Sequence, residues 1–269
     1  MAVLYYIDFS GLDAEELLST YADKADDERL SKLTRTLAPE AKVRSLLAGY
    51  LLRVGLLEYL QKGGPRKCLG EGGHESLDAA EQHIYPVRYR YGENGKPYFA
   101  DYPEVYFNLS HSKNVVVCAF SGQEIGVDIQ KHVKIKGNLA RRFFSEEEFA
   151  FLETRKEEDG SIGKDYENCF FRLWSIKESF IKFTGKGMKQ GLDSFRIIPE
   201  EERIVENSEC TKTQTAYYKE IFLENLPEYS CSVCMETQEE IRIVKIEPLE
   251  ITESGKEKHE ELSTMETGL

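Results

Sequence analysis

The chain has 269 residues, a net charge of −13, and hydrophobic and aromatic contents of 41% and 11%, enough for one large domain or two small ones around a true core. That charge argues against a general nucleic-acid binder, which needs a basic surface, and no apolar run approaches the ~20 residues that span a bilayer. Six scattered cysteines (68, 118, 169, 210, 231 and 234) follow no basic-then-apolar leader, so they read as reduced thiols of a cytoplasmic protein rather than a disulfide framework.

In chain order, a first strand is predicted at 4–8 and two charged helices within 13–37. A strong amphipathic helix comes next at 39–60, with Pro39 and Glu40 in its first turn and Val43, Leu46, Leu47, Tyr50, Leu51, Val54 and Leu57 on its apolar face. Residues 61–83 are rich in Gly, Lys and Glu and read as a loop insertion. A strand near 86–91 leads into Gly92-Glu93-Asn94-Gly95-Lys96-Pro97, a turn with a lysine at its tip. Three short strands are predicted at 105–108, 114–120 and 124–130, the last two joined by the hairpin signal Ser121-Gly122-Gln123. Residues 141–156 are helical, with Ser145 and Glu148 at capping-box spacing. Strands at 194–198, 216–223, 229–235 and 241–244 complete the pattern, and the Glu/Lys/Ser/Thr-rich tail reads as disordered.

One helix, Phe170 to the Gly185-Lys186-Gly187 stop, is apolar nearly all round and should be buried. Yet at about 100° per residue Glu178 shares a face with Phe171, Trp174 and Ile181. A carboxylate there must be paired, metal-bound or protonated; the plainer reading is an i, i+4 surface pair with Lys182. On the strand Ile125–Gln130, Ile125, Val127 and Ile129 point one way and Gly126, Asp128 and Gln130 the other, with Asp128 and Gln130 ~7 Å apart; this is either a site or an edge strand with its polar face in solvent. Asn108-Leu109-Ser110-His111-Ser112 reads as a strand-joining loop, either a phosphate site or a locally capped turn. Cys231 and Cys234 form a lone CxxC whose members face opposite sides of a strand, so a zinc site is not expected.

Phe107-Asn-Leu-Ser-His-Ser112, Ile125-Gly-Val-Asp-Ile129 and Trp174-Ser-Ile-Lys-Glu-Ser179 followed by Lys182 occur in that order, with Gly95-Lys96-Pro97 before them. Together they closely resemble the 4′-phosphopantetheinyl transferases of the surfactin-synthetase-activating type, over the chain from its start to about residue 248. The resemblance implies an α+β fold of two similar α/β halves related by a pseudo-two-fold, here 1–121 and 122–248, with a tail at 249–269. It implies transfer of the phosphopantetheine arm of coenzyme A to a serine of an apo acyl or peptidyl carrier protein, with adenosine 3′,5′-bisphosphate released and Mg2+ as cofactor. Asp128 and Glu178 match the metal carboxylates, and Glu178 also the general base. Lys182 matches the pyrophosphate contact. Ser110 and His111 match positions that hold the 3′-phosphate; Arg29, Lys32, Arg44, Ser45 and Lys96 match further coenzyme A contacts. Gln130 stands where many relatives have Glu, so it would bind the metal directly or through water without supplying charge. Carrier docking is expected near 185–195, through Lys186, Met188 and Lys189. A monomer is expected, since the two halves supply the interface. The alternative is a non-catalytic coenzyme A- or carrier-binding protein of the same fold.

Overall fold

A computed structural model describes residues 1–34, 38–62, 87–135, 139–206 and 215–249, without the side chains of residues 23, 27, 28, 32 and 188. Most of the expected insertion at 61–83 and the tail from 250 lie outside the described residues. The first half begins with strand β1 (Ala2–Asp8) and helices α1 (Ala14–Tyr21), α2 (Asp27–Leu33) and α3 (Pro39–Lys62). A small antiparallel pair, β2 (Tyr89–Tyr91) and β3 (Pro97–Phe99), precedes β4 (Tyr106–Ser112) and β5 (Val115–Ser121). The second half holds β6 (Ile125–Lys131), α4 (Leu139–Phe143), α5 (Glu146–Glu153), α6 (Lys164–Thr184), β7 (Phe195–Ile198), β8 (Arg203–Glu206), β9 (Thr215–Ile221), β10 (Tyr229–Met235) and β11 (Ile241–Lys245). The mixture of helices with mainly antiparallel sheets is the expected α+β class.

One sheet has the order β11-β1-β5-β4 and the other β6-β10-β9-β8-β7. Alternation along each strand builds the layers. In the first sheet Val3, Tyr5, Ile7, Val116, Cys118 and Phe120 pack under α3, through Val43, Leu47 and Leu51. Their neighbours Ala2, Leu4, Tyr6, Val115, Val117 and Ala119 meet Ile125, Val127, Ile129, Cys231, Val233 and Met235 of the second sheet. The other face of the second sheet lies under α6, where Cys234 joins Phe170, Leu173, Ile176 and Phe180. Cys231 and Cys234 thus face opposite cores, as their spacing requires.

The sheets meet along β4 and β6 through side chains. The Val127 N–H donates to Asn108 Oδ1 at 3.0 Å, Ile129 N–H to Ser110 Oγ at 3.3 Å and Lys131 N–H to Ser112 Oγ at 3.0 Å. Three polar residues at every second position of β4 therefore satisfy every second N–H of the β6 edge, which would otherwise be buried without acceptors.

Three expectations change, and one strand is added. Asn108 to Ser112 is not a strand-joining loop: it is strand, and the turn is only Lys113-Asn114, with Lys113 at φ 51°. Ser121-Gly122-Gln123 is not a hairpin, because β5 already has β4 on one edge and β1 on the other; the chain crosses to the second sheet instead. Residues 241–245, assigned to the second half, pair parallel with β1 in the first sheet, so the division at 121/122 is crossed by that return. Strand β8, between β7 and β9, had no counterpart in the sequence reading.

Gly126 fixes the spacing of α6 from β6. A Cβ there would lie 2.9 Å from Phe183 Cα and would overlap the Ser179 carbonyl oxygen and the Phe183 amide nitrogen. Only helix backbone faces it, so nothing flexible can yield. Gly126→Ala is expected to cost about 1–3 kcal/mol, read as a lower urea midpoint; a variant as stable as the parent would show that α6 tolerates displacement.

Candidate active site between β4, β6 and α6

The polar face of β6 is covered, not solvated. Asp128 is 2% exposed, and both of its oxygens are in use. Oδ1 accepts from Lys182 Nζ at 2.6 Å and from Ser110 Oγ at 2.9 Å; Oδ2 accepts from Gln130 Nε2 at 2.9 Å. Lys182 also donates to Ser110 Oγ at 2.8 Å. A buried carboxylate with three donors, one of them cationic, meets the condition under which burial of charge is tolerated. Small residues make room for this cluster under α6: Gly126, Ser179, and the buried pair Ser175 and Ser232, whose hydroxyls lie 3.0 Å apart.

Glu178 does not form the i, i+4 pair with Lys182, whose amine reaches across to Asp128. Among the described residues Glu178 has no hydrogen-bond partner. Burial holds its pKa above the usual carboxylate value; the Asp128 charge adds to this and Lys182 opposes it. Two carboxylates thus sense each other across the gap between strand and helix. Trp174, one turn earlier, meets Phe143 edge-on at 5.1 Å and stacks on Phe170 at 5.7 Å.

Ser110 and His111 point to opposite sides of β4. Ser110 belongs to the Asp128–Lys182 cluster, whereas His111 is exposed beside Arg44, so the two side chains do not converge on one phosphate. The His111 pKa is pushed down by partial desolvation of the ring against the protein surface, then by the charges of Arg44 and Lys182. Arg44 donates to the Lys113 carbonyl at 3.3 Å, in the β4–β5 turn. Arg29 is tied to the helix pair: it donates to the Ser45 carbonyl at 2.7 Å and lies against Gly49. Its Nε is buried without an acceptor, beside a pocket of about 250 Å³ lined by Asp26, Leu52, Tyr89, Tyr91, Gly95 and Leu109 among others. The Lys32 side chain is outside the described part of the structure.

Lys96 is not at a turn tip. It is 9% exposed and donates at 3.0 Å to each of Glu124 Oε2, the Ile125 carbonyl and the Phe183 carbonyl. Lys186 is exposed and pairs with Glu206 at 2.5 Å; Lys189 is exposed, and the Met188 side chain is outside the described part.

The sequence reading missed the buried pair of Lys177 with Glu148, at 2.8 Å. Lys177 is fully buried and also donates to the Leu192 and Phe195 carbonyls at 2.7 and 2.8 Å, anchoring the segment after α6. The signal was the capping box: Glu148 does close it, and its two oxygens also reach Lys177 and the Ile197 N–H. Asn108, Ser112 and Gly126 carried a signal only in their alternation.

Residues 124–234 match the family model of the 4′-phosphopantetheinyl transferase superfamily. The chain is 35% identical over 169 residues to the Bacillus subtilis 4′-phosphopantetheinyl transferase ffp, covering 61% of this chain and 70% of that one. The chain belongs to the 4′-phosphopantetheinyl transferase superfamily. It is also 44% identical over 111 residues to the transferase Sfp of Bacillus subtilis strain 168, covering 41% of this chain and 47% of that one. A third relative, the transferase gsp of Aneurinibacillus migulanus, is 35% identical over 148 residues, covering 55% and 58%. The chain therefore spans about half to two thirds of the length of most of these curated relatives.

The stretch matched by the superfamily model contains β6 and α6, hence Asp128, Gln130, Glu178 and Lys182. Ser110, Arg44 and His111 lie before it. The coupling of the two carboxylates gives a direct test: in 13C-carboxyl NMR, Glu178 is expected to titrate above the normal glutamate range and to move down in Asp128→Asn. A Glu178 resonance titrating normally and indifferent to Asp128 would separate the two groups.

Proposed function

We propose that the protein transfers the 4′-phosphopantetheine arm of coenzyme A to a serine of an apo acyl or peptidyl carrier protein. The observation that carries this is the cluster of Asp128, Lys182 and Ser110 with Glu178 facing it, at the meeting of the two sheets in a member of this superfamily. The carrier serine oxygen forms a bond to the phosphorus next to the pantetheine arm. The bond from that phosphorus to the bridging oxygen breaks, adenosine 3′,5′-bisphosphate leaves, and the serine proton goes to Glu178. Lys182, whose side chain is 28% exposed, is the cation available to charge developing on the leaving phosphate. Trp174, one turn before Glu178, stacks on Phe170 and meets Phe143 edge-on, so the base stands beside an aromatic cluster.

The donor chemistry fits magnesium. Both carboxylates offer hard oxygen donors. No cluster of three or more His, Cys, Asp or Glu ligands occurs among the described residues, which suits an ion that takes one or two carboxylates and completes its shell with phosphate and water. Asp128 and Glu178 would hold it, and when bound it would neutralise the pyrophosphate. Gln130 presents its amide nitrogen to Asp128, so in this reading it orients the metal carboxylate rather than ligating the ion. Arg44 supplies the cation, and the His111 ring a neutral hydrogen-bonding group, for a phosphate of the nucleotide end, and the pocket beside Arg29 would take its base.

The carrier contact is better placed on β6 and α4 than on Lys186. From Ile129 to Ser145 the sequence has five Lys or Arg and no Asp or Glu, in a chain of net −13. Of these, Lys134, Arg141 and Arg142 are exposed, with Val133 and Leu139 exposed among them, and Phe143 touches Trp174. This local basic and apolar surface suits an acidic partner. Among the described residues no helix is long and apolar enough to cross a membrane. The described cysteines are free, buried thiols, which suits the cytoplasm, and the interface between the two halves suits a monomer.

Incubation with coenzyme A, Mg2+ and an apo carrier domain is expected to add one phosphopantetheine mass to the carrier. Glu178→Gln is expected to abolish that gain and to leave coenzyme A binding largely intact. Binding without mass gain on any of several carriers would favour the non-catalytic alternative. Charge reversal at Lys134, Arg141 and Arg142 is expected to raise the carrier KM at least tenfold with the coenzyme A KM unchanged; equal carrier kinetics would remove this surface.

A further inference from the structure

We propose that Lys96 is a positioning residue that locks the C-terminal turn of α6 onto the start of β6, and does not contact coenzyme A. The inference rests on the transfer reading above only for its kinetic consequence. An ε-ammonium has three protons and no acceptor, and here each proton has a protein acceptor at 3.0 Å: Glu124 Oε2, the Ile125 carbonyl and the Phe183 carbonyl. None is left for a phosphate. Withdrawing the amine would strand the Phe183 carbonyl in the last turn of α6 and part a half-buried ion pair, both unfavourable. Burial pushes the Lys96 pKa down and Glu124 opposes that, as a fully enclosed ammonium requires.

The two carbonyls sit beside the residues of the site. Phe183 follows Lys182, and Ile125 stands three residues before Asp128. Gly126, between them, is where the helix backbone rests on the strand. Lys96 therefore clasps the point where α6 crosses β6, from a turn that belongs to the first half. The same turn holds the helix end a second time: Asn94 Nδ2 donates to the Gly185 carbonyl at 3.1 Å. The lysine stem packs on Gly185, which has φ 65° and whose added Cβ would be 3.3 Å from Lys96 Cδ. A cation at a helix C-terminus is favourable in its own right. If the clasp is opened, Glu178 and Lys182 lose register against Asp128, and a misplacement of about 1 Å costs on the order of 10²-fold in rate.

The test compares Lys96→Met, which keeps the stem and removes the donors, with Asn94→Ala, which removes only the outer bond. Coenzyme A affinity is measured by calorimetry and transfer by carrier mass, at a temperature where circular dichroism shows each variant folded. Lys96→Met is expected to lower kcat 10- to 100-fold while the coenzyme A Kd and KM stay within about threefold. Asn94→Ala should show the same split more weakly. A general loss of structure would not leave substrate affinity intact while kcat falls. If Lys96→Met does not fold, Glu124→Gln, which keeps an acceptor and removes its charge, takes its place in the same comparison. A tenfold loss of coenzyme A affinity with kcat kept at saturation would make Lys96 a ligand and overturn the proposal, as would unchanged kcat and Kd. If the parent chain binds coenzyme A but transfers to no carrier, the transfer reading fails; the affinity arm then still decides whether Lys96 touches the ligand.

Discussion

The crossing of α6 over β6 at Gly126 is the constraint on which the site depends. With no Cβ between them, the helix backbone rests directly on the strand, and only at that separation do Glu178 and Lys182 come down to the level of Asp128. Serines at 175, 179 and 232 maintain the close approach around it. Side chains of β4 then fasten β6 from its free edge. The site is therefore made of parts that also hold the two sheets together, and Ser110 serves both purposes through one oxygen.

Three lysines surround this crossing, and burial separates their roles. Lys177 and Lys96 are enclosed, and the hydrogen-bond acceptors around each match its three protons. They join distant segments: Lys177 secures the segment after α6, and Lys96 secures the last turn of the helix itself. Lys182 alone retains solvent contact, and its acceptors, Asp128 and Ser110, are side chains that can exchange partners. The amine proposed to serve the transfer is thus the one least completely satisfied by the protein.

What the sequence made legible was whatever depends on local periodicity. The 2-residue alternation of Ile125 to Gln130 put Asp128 on the right face, the capping box at Ser145 was present, and the stop at Gly185 closed α6 in a left-handed residue. Partners distant in sequence were not legible. Nothing near Ser121 says that β5 has both edges taken, so the loop looked like a hairpin. Nothing near Lys96 says that three acceptors await it, so the resemblance made it a ligand. Glu178 and Lys182 looked like a pair because they are one turn apart, but the competing carboxylate lies 54 residues before the lysine. Ser110 and His111 are neighbours in sequence, and the strand that separates them was read as a loop.

The return of β11 to lie parallel beside β1 has a consequence for how the molecule is made. Ala2 to Tyr6 meet Ile241 to Lys245, so one edge of the first sheet waits for almost the last described residues to leave the ribosome. Pairings of such long sequence separation form slowly, because the chain must close a very large loop before any contact rewards it. Until then β1 presents an open row of backbone donors and acceptors, the kind of edge that recruits a strand from another chain. The nascent protein is thus most exposed to misassociation in the interval before residues 241–245 emerge, when its second sheet already has all the residues it needs.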